Sequence, residues 1–126
     1  EEKWQYYMIA NITILNECGV QDWTCEQSFR HDRFGGKIDL YCSNYLIDIK
    51  TKEHIEDVVE IYDEHAMQIA AYREGIGHQG RGGILFISTL DKTAKLLWIE
   101  PEKLERGLKM FNALIDYYYA RTGLLT

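Results

Sequence analysis

Two segments rich in β-branched and aromatic residues, separated by two polar residues, predict a β-hairpin in the first half of the chain. The strands are residues 37–42 and 45–50, and a hairpin centred between them places Asp39 directly opposite Asp48. Like charges directly opposed across two strands are destabilising, so a purely structural hairpin should avoid this pair unless a divalent cation offsets the repulsion. Lys50 lies two residues beyond Asp48 and therefore on the same strand face. The hairpin indicates either a metal site or a solvated polar face with an Asp48–Lys50 ion pair.

The length and the charge of the chain limit its domain organisation and its ligands. With 126 residues, of which 46% are hydrophobic, we expect one folded domain spanning residues 1–126. The formal net charge of −6 disfavours a protein that binds nucleic acids through a broad basic surface. It does not exclude a nuclease, because carboxylates that bind a cation contribute to the negative charge.

The cysteines and histidines favour an intracellular protein without structural zinc. Cys18, Cys25 and Cys42 cannot all pair with one another and show no CxxC spacing, so we expect reduced thiols. The histidines contain no HxxxH pair, which leaves a zinc site with little support. No apolar run approaches the roughly 20 residues that span a bilayer, so we expect no membrane association.

The N-terminal quarter of the chain predicts a helix followed by a strand. Residues 2–16 carry an apolar stripe with helical spacing, which we expect to pack against the core. That stripe consists of Trp4, Met8, Ile12 and Leu15. Residues 21–30 roughly alternate apolar and polar side chains, which is the pattern of a half-buried strand with Glu26 on its polar face. Glu26, or Glu17 after the helix, could add a third carboxylate to the hairpin, although a solvated glutamate is an equally good interpretation of each.

The rest of the chain predicts two more helices and two more strands. The segments are a helix over 57–74 that Gly75 and Gly77 end, strands over 83–89 and 95–99, and a helix from Pro101 to about Ala120. Tyr117–Tyr119 in the last helix could stack nucleobases, but packing is the favoured interpretation. The order αβββαββα predicts an α/β domain with a mixed central sheet flanked by helices.

The second predicted helix carries a polar stripe. His65, Gln68 and Tyr72 recur at three- and four-residue steps and therefore share one face. They could mark the boundary between core and solvent, or they could face a site on the sheet. In the glycine-rich loop that follows, His78 and Arg81 could contact a substrate.

Three short motifs occur in order on these predicted elements. They are Gly36-x-x-Asp39, Asp48-Ile49-Lys50-Thr51 and Gln68-x-x-x-Tyr72. The combination resembles the RecB-type branch of the PD-(D/E)XK nuclease superfamily, with its GxxD, (D/E)xK and QxxxY motifs, and His65 also fits that branch. Within it, the residues are similar to the mitochondrial genome maintenance exonucleases, which act on single-stranded DNA, over about residues 24–120. Ile38 stands where the literal motif has proline, as is common in the superfamily.

The resemblance implies a restriction-endonuclease-like core with a metal-dependent active site. Asp39, Asp48 and the Ile49 carbonyl would bind Mg²⁺ or Mn²⁺. Lys50 would orient the attacking water or help to deprotonate it. The metal would stabilise charge in the transition state and lower the pKa of the water.

The resemblance also implies roles for the second helix and for nearby cations. Gln68 and Tyr72 would position the substrate or the attacking water. Lys52, Arg73 and Arg81 could bind phosphates, although a surface charge is the commoner explanation for such residues.

The function that the resemblance implies is a metal-dependent DNA exonuclease that prefers single strands or DNA ends. One alternative is a structure-specific endonuclease, which Gln68 and Tyr72 disfavour because such enzymes usually lack QxxxY. The other is a non-catalytic DNA-binding module on the same fold. The presence of Asp39, Asp48 and Lys50 disfavours that alternative.

Overall fold

The part of the chain that the structure describes folds into three helices and five strands in the predicted order. A computed structural model describes residues 2–55 and 60–123. The elements are α1 (Glu2–Cys18), β1 (Thr24–Arg30), β2 (Gly35–Tyr41), β3 (Tyr45–Lys52), α2 (Asp63–Ile76), β4 (Arg81–Ser88), β5 (Thr93–Trp98) and α3 (Pro101–Thr122). The predicted α/β class and the order αβββαββα are confirmed.

The five strands form one mixed sheet in the order β1-β2-β3-β4-β5. The β1–β2, β2–β3 and β4–β5 pairs are antiparallel, whereas β3 and β4 are parallel. A parallel pair needs a crossover connection, and α2 supplies it here. Because α2 joins β3 to β4, it crosses one face of the sheet, and its polar stripe of His65, Gln68 and Tyr72 lies beside β3.

Helices cover both faces of the central strands. On one face, α2 and α3 enclose a core that contains Ile38, Leu46, Ile69, Ile84, Phe86 and Leu104. On the other face, α1 packs over Ile47, Leu85 and Ile87. Strand β4 is therefore buried on both sides, which explains its nearly continuous apolar sequence, whereas β3 is fully buried only over residues 46–48.

The apolar stripe that we expected α1 to bury is exposed, so that prediction is wrong. Its members are between 43% and 64% exposed: Trp4, Met8, Ile12 and Leu15. The buried residues are instead Ala10, Ile14 and Cys18, which recur every four residues and form a second stripe. Two of these three side chains are small, which lets the helix axis lie close to the sheet. The larger residues consequently point away from it.

Strand β1 is more exposed than its alternating sequence predicted. Within the strand Phe29 is half-buried, whereas the other residues, including Cys25, are exposed. The strand lies at the edge of the sheet, beside β2 alone. The expectation of a half-buried strand is therefore wrong for most of β1, because the covering helices lie over the central strands.

The second helix begins later than predicted. It starts at Asp63, after Tyr62 in an extended conformation with φ −85° and ψ 165°. The His65 imidazole accepts a hydrogen bond from the Tyr62 N–H at 3.1 Å, which caps this end. Residues 60–62 of the predicted helix are not helical, and residues 57–59 lie outside the described residues. Gly77 ends the helix with φ +66°, while Gly75 lies inside it.

The last helix starts at Pro101 as predicted, but two of its tyrosines are not packed in the core. Tyr117 is 60% exposed and Tyr118 is 53% exposed. Tyr119 does pack, since its hydroxyl donates to the Arg33 carbonyl at 2.7 Å. Packing was thus the wrong expectation for the first two. Within residues 2–55 and 60–123, no helix combines the length and hydropathy that a membrane span requires.

Candidate active site

The β2–β3 hairpin has the predicted register, but its strands separate at the two aspartates. The Cys42 N–H donates to the Tyr45 carbonyl at 2.9 Å and closes the predicted two-residue turn. The ladder continues through Tyr41–Leu46 to Leu40–Ile47 and ends there. The next pair in this register would be Asp39 with Asp48. The β1–β2 pairing resumes beyond Asp39, and β3 stays paired with β4, so β2 and β3 diverge from this pair onward and leave a cleft between them.

The Asp39 side chain takes the place of a backbone partner at the point of separation. Its Oδ2 accepts a hydrogen bond from the Ile49 N–H at 2.8 Å. A carboxylate acceptor makes this a charge-assisted bond, which is stronger than a neutral one. The N–H and the carbonyl of one extended residue point to the same edge of a strand. The Ile49 carbonyl therefore points toward the side of β3 on which Asp39 lies.

The Asp48 carboxylate is buried beside two other charged groups. Asp48 is 4% exposed, and the Lys50 ammonium lies 3.0 Å from its Oδ2. This ion pair is not aligned as a hydrogen bond, and Oδ2 has no hydrogen-bond donor among the described residues. Burial, followed by the neighbouring Asp39 carboxylate, raises the pKa of Asp48 to about 6, although Lys50 acts in the opposite direction. The two aspartates therefore share one negative environment.

A chain of side-chain hydrogen bonds connects the hairpin to α2. The Lys50 ammonium donates to Gln68 Oε1 at 3.1 Å, and Gln68 Nε2 donates to the Tyr72 hydroxyl at 2.9 Å. Gln68 and Tyr72 are one helical turn apart, so their side chains meet on the face that covers β3. Asp48 joins this chain through its ion pair with Lys50, and Asp39 is near enough to Asp48 to raise its pKa. The structure thus brings together the five side chains that the sequence predicted as catalytic.

His65 lies one turn before Gln68 on the same helix. Its ring packs edge-on against Phe86 with the ring centroids 6.0 Å apart. Burial and the nearby Lys50 ammonium lower the pKa of His65 below its usual value. At neutral pH the imidazole is therefore neutral, which suits its role as acceptor in the helix cap.

Neither glutamate considered as a third carboxylate lies with the two aspartates. Glu26 forms an ion pair with Lys37 at 3.7 Å, and its side chain is 72% exposed. Glu17 is on α1, which packs against the opposite face of the sheet. Among residues 2–55 and 60–123, no group of three or more His, Cys, Asp or Glu side chains could hold a metal ion. The candidate metal-binding groups among the described residues are therefore two carboxylates and one backbone carbonyl.

These groups fit a hard divalent cation. Two carboxylates with a carbonyl give oxygen ligands alone, and Mg²⁺ is typically bound by one or two carboxylates with water in the remaining positions. The Asp48 Oδ2 atom is buried and without an aligned donor, so it can accept a further partner. The absence of sulfur and nitrogen from this set disfavours zinc.

The predicted phosphate-binding cations lie at different distances from the site. Lys52 follows Lys50 by two residues and lies over the Phe86 ring, with its ammonium 5.3 Å from the centroid. Arg81 pairs with Tyr45 at the far end of the β3–β4 ladder, five residues or roughly 16 Å from Lys50. There it stacks on Trp98 at 4.2 Å.

Arg73 on α2 and His78 in the following loop also lie at that distant end. Arg73 and Arg81 line a cavity of about 890 Å³ between the strand ends, α2 and α3. His78 bonds to the Cys42 carbonyl at 2.6 Å and accepts the Gly80 N–H at 3.1 Å, so it joins two loops. The structure does not bring Arg73, Arg81 or His78 to the aspartates.

Sequence reasoning did not identify Phe29 as part of this region. The Phe29 ring on β1 packs edge-on against Tyr72, with the centroids 5.8 Å apart at 80°. Gly36 and Gly75 leave the space for this contact. The glycines were visible in the sequence, but the partner that they accommodate was not.

Comparison with known proteins identifies a similar fold. No protein-family model and no curated protein sequence matches the chain. The crystal structure of a protein described as "Putative exonuclease" from Eubacterium rectale matches with a TM-score of 0.69 and 14% sequence identity, over 98% of this chain and 55% of that chain. A structure of SSO0001 matches with a TM-score of 0.43 and 15% identity, over 89% of this chain and 58% of that chain. The chain spans little more than half of the length of either structure, and its fold is that of the Eubacterium rectale protein.

Proposed function

We propose that this protein is a metal-dependent DNA exonuclease that hydrolyses phosphodiester bonds and prefers single strands or DNA ends. The observation that carries the proposal is the meeting of Asp39, Asp48 and Lys50 where β2 and β3 separate. The contact of Lys50 with Gln68 and Tyr72 supports it, because these are the three motifs of the RecB-type nucleases in contact with one another. The fold shared with the Eubacterium rectale protein is consistent with it.

The metal in this proposal is Mg²⁺ or Mn²⁺. Asp39, Asp48 and the Ile49 carbonyl would hold it, with water and substrate oxygens completing the coordination. When bound, the cation supplies positive charge next to the phosphate and lowers the pKa of a coordinated water. It would also compensate the negative charge that raises the pKa of Asp48.

Lys50 is proposed to handle the attacking water and the phosphate. Its ammonium lies 3.0 Å from Asp48 Oδ2 and donates to Gln68 Oε1 at 3.1 Å, which leaves at least one further N–H to donate. Its side chain is 34% exposed, so this donor can reach a ligand in the cleft. As a cation it orients a water and stabilises phosphate oxygens, whereas taking up a proton from water would require it to lose one first.

Tyr72 is proposed to donate a hydrogen bond to the substrate or to the water. Its hydroxyl oxygen accepts from Gln68 Nε2. A phenol that accepts one hydrogen bond can still donate its own proton. Gln68 therefore orients two groups at once, Lys50 through its carbonyl and Tyr72 through its amide.

Digestion of end-labelled single-stranded, duplex and closed-circular DNA tests this proposal. We expect the wild type to degrade linear single strands with Mg²⁺ or Mn²⁺ and to be inactive in EDTA. Asp48→Ala and Lys50→Ala should each reduce the rate by about 100-fold or more. Lys109→Ala, which removes an exposed lysine from α3, serves as the matched control and should leave the rate unchanged.

Three results would change the proposal. Cleavage in EDTA, or full activity of Asp48→Ala or Lys50→Ala, would refute the mechanism. Cutting of closed circles would identify an endonuclease. Binding of single-stranded DNA without cleavage under any of these conditions would identify a DNA-binding module.

A further inference from the structure

The hydrogen-bond chain that ends at Lys50 begins at an aromatic ring. Tyr72 accepts from Gln68 through its hydroxyl, so the position of the hydroxyl depends on how its ring is held. On one side that ring meets Phe29 of β1, edge to face, with the centroids 5.8 Å apart. Such pairs have a preferred geometry and are stabilised by more than the area they bury. Phe29 is therefore in a position to fix the orientation of Tyr72.

Two glycines make the contact possible. Phe29 pairs with Gly36 across the β1–β2 ladder, and because Gly36 has no side chain the phenyl ring reaches across β2 to α2. A Cβ atom at Gly36 would lie 2.8 Å from Tyr72 Cε1 and 3.0 Å from Phe29 Cε1. A Cβ atom at Gly75 on α2 would overlap the Phe29 ring. The ring is thus confined on both sides in a narrow slot.

The slot belongs to the same hairpin that carries a proposed metal ligand. The β1–β2 pairs run from Thr24–Tyr41 to Arg30–Gly35 and skip only the Glu26–Asp39 position, whereas the β2–β3 ladder ends before Asp39. The β1–β2 hairpin therefore supplies Asp39 to one side of the cleft and Phe29 to the tyrosine on the other side. One rigid unit contacts both ends of the hydrogen-bond chain.

Lys50 needs such support because its side chain is flexible. A lysine loses much rotamer freedom when it is fixed, and this one is 34% exposed. Two contacts hold its ammonium, one with Asp48 and one with Gln68. The Gln68 side chain donates from Nε2 to the Tyr72 hydroxyl. This hydrogen bond fixes the orientation of the amide and so keeps its carbonyl oxygen directed at Lys50.

We propose that Phe29 is a positioning residue for the Lys50 ammonium, acting through Tyr72 and Gln68. The expected effect on kcat rests on the proposed nuclease function. The positioning of Lys50 through Tyr72 and Gln68 does not depend on that function. Phe29 itself does not contact the reacting atoms. Its loss should therefore reduce the chemical step while leaving substrate binding nearly unchanged.

Phe29→Leu and Phe34→Leu form a matched pair of variants. Phe34 belongs to the same aromatic cluster, at 5.9 Å from Phe29 and 4.8 Å from Phe111. Among the described residues no ring contact joins Phe34 to Tyr72. Both changes remove the same atoms from half-buried rings. A purely structural role would give them similar effects.

Steady-state kinetics on single-stranded DNA measure the difference. We expect Phe29→Leu to lower kcat by about tenfold to 100-fold with KM changed by less than about threefold, since small misplacements of catalytic groups have effects of this size. Phe34→Leu should stay within about threefold of the wild type in both constants. Equal losses for the two variants, or a loss in KM alone, would overturn the proposal.

A double-mutant cycle tests whether Phe29 acts through Gln68. In a Gln68→Ala background, Phe29→Leu should change kcat by less than about threefold, because the connection to Lys50 is already broken. Independent, multiplicative effects would show that Phe29 acts by another route. Gly36→Ala keeps the phenyl ring, but its new Cβ would press on both Tyr72 and Phe29 and push the two rings apart. It should therefore reproduce the kcat loss even if Phe29→Leu is poorly folded.

A spectroscopic readout separates this inference from the proposed function. The side-chain amide resonances of Gln68, assigned by their loss in Gln68→Ala, should shift in Phe29→Leu and Gly36→Ala and stay in place in Phe34→Leu. Unshifted resonances in Phe29→Leu would refute the positioning role even if the protein is an active nuclease. Shifted resonances in a protein that cleaves no DNA would retain the positioning role and refute the nuclease proposal.

Discussion

Replacing the Asp48 carboxylate with an amide should stabilise the metal-free protein at neutral pH. Burial and Asp39 raise the pKa of Asp48 from 3.8 to about 6, so the folded state binds the proton more tightly than the unfolded state does. Each pKa unit corresponds to 1.36 kcal/mol, and the difference amounts to about 3 kcal/mol. The ionised carboxylate therefore opposes folding by about that amount above pH 6. Asp48→Asn, which cannot ionise, should recover part of it, about 1–3 kcal/mol.

The pH dependence follows from the sign of the pKa change. Below pH 3.8 the carboxyl is protonated in both states, and the wild type suffers no penalty. Between about pH 4 and pH 6 the unfolded state ionises first, so the wild type loses stability relative to Asp48→Asn as the pH rises. Above about pH 6 the difference stays constant. The advantage of the variant should therefore appear across this window.

Urea denaturation in EDTA at several values between pH 4 and pH 8 measures this effect. The free energy of unfolding of Asp48→Asn minus that of the wild type should increase with pH to a plateau near pH 7. Asp22→Asn changes an exposed aspartate and should show no comparable rise. If Asp48→Asn is less stable than the wild type at pH 8, or if its advantage does not vary with pH, the burial and charge environment derived for Asp48 is wrong.

Three further predictions concern metal binding and packing. Millimolar Mn²⁺ at pH 7.5 should raise the melting temperature of the wild type but not of Asp48→Asn, since the amide lacks the charge that binds the cation; equal shifts in differential scanning fluorimetry would contradict the proposed ligand set. Ile14→Ala should cost about 2–4 kcal/mol of unfolding free energy and Ile12→Ala less than about 1 kcal/mol, because the first is 6% and the second 55% exposed; the reverse order in urea denaturation would place the wrong face of α1 on the sheet. Gly107→Ala should destabilise by about 1–3 kcal/mol despite its better helix propensity, because the new Cβ would lie 2.8 Å from the Ala66 backbone; a stabilised variant would mean that α2 and α3 cross less closely.

The hairpin and the polar stripe of α2 could be predicted from the sequence because they depend on local periodicity. A two-residue turn sets the hairpin register, and the register sets which side chains are opposed. The alternation of side chains along a strand places Asp48 and Lys50 on one face. Helical spacing places Gln68 and Tyr72 on one stripe. Each of these relations uses neighbours within a few residues, and the structure has all of them.

The packing of α1 could not be predicted in the same way. The helix has two apolar stripes, and the one with larger side chains faces solvent while the smaller one, with Ala10 and Ile14, faces the sheet. Hydrophobic periodicity detects both stripes but does not tell which fits over a given surface. The choice depends on the shape of the sheet, which forms from residues far away in the chain.

The Phe29–Tyr72 contact could not be predicted from the sequence for a related reason. The two residues lie on different elements, and the contact exists because a third position, Gly36, lacks a side chain. A glycine indicates that something comes close, but it does not identify what. Such a contact becomes visible after the strand register and the helix crossing are both known.

The sequence predicts that Asp39 and Asp48 lie directly opposite each other, where their charges would repel. In the structure the two strands separate at this pair, yet the two carboxylates remain close enough to interact. The ladder ends before this pair, so a fully paired, repulsive arrangement is avoided. Asp39 is then compensated by the Ile49 N–H, while Asp48 is compensated by Lys50 and, below about pH 6, by a proton. These partial compensations leave carboxylate oxygens close together where the two strands separate. A cation bound there would complete the compensation. Loss of the Asp48 charge should therefore raise the stability of the metal-free protein and lower its affinity for the metal.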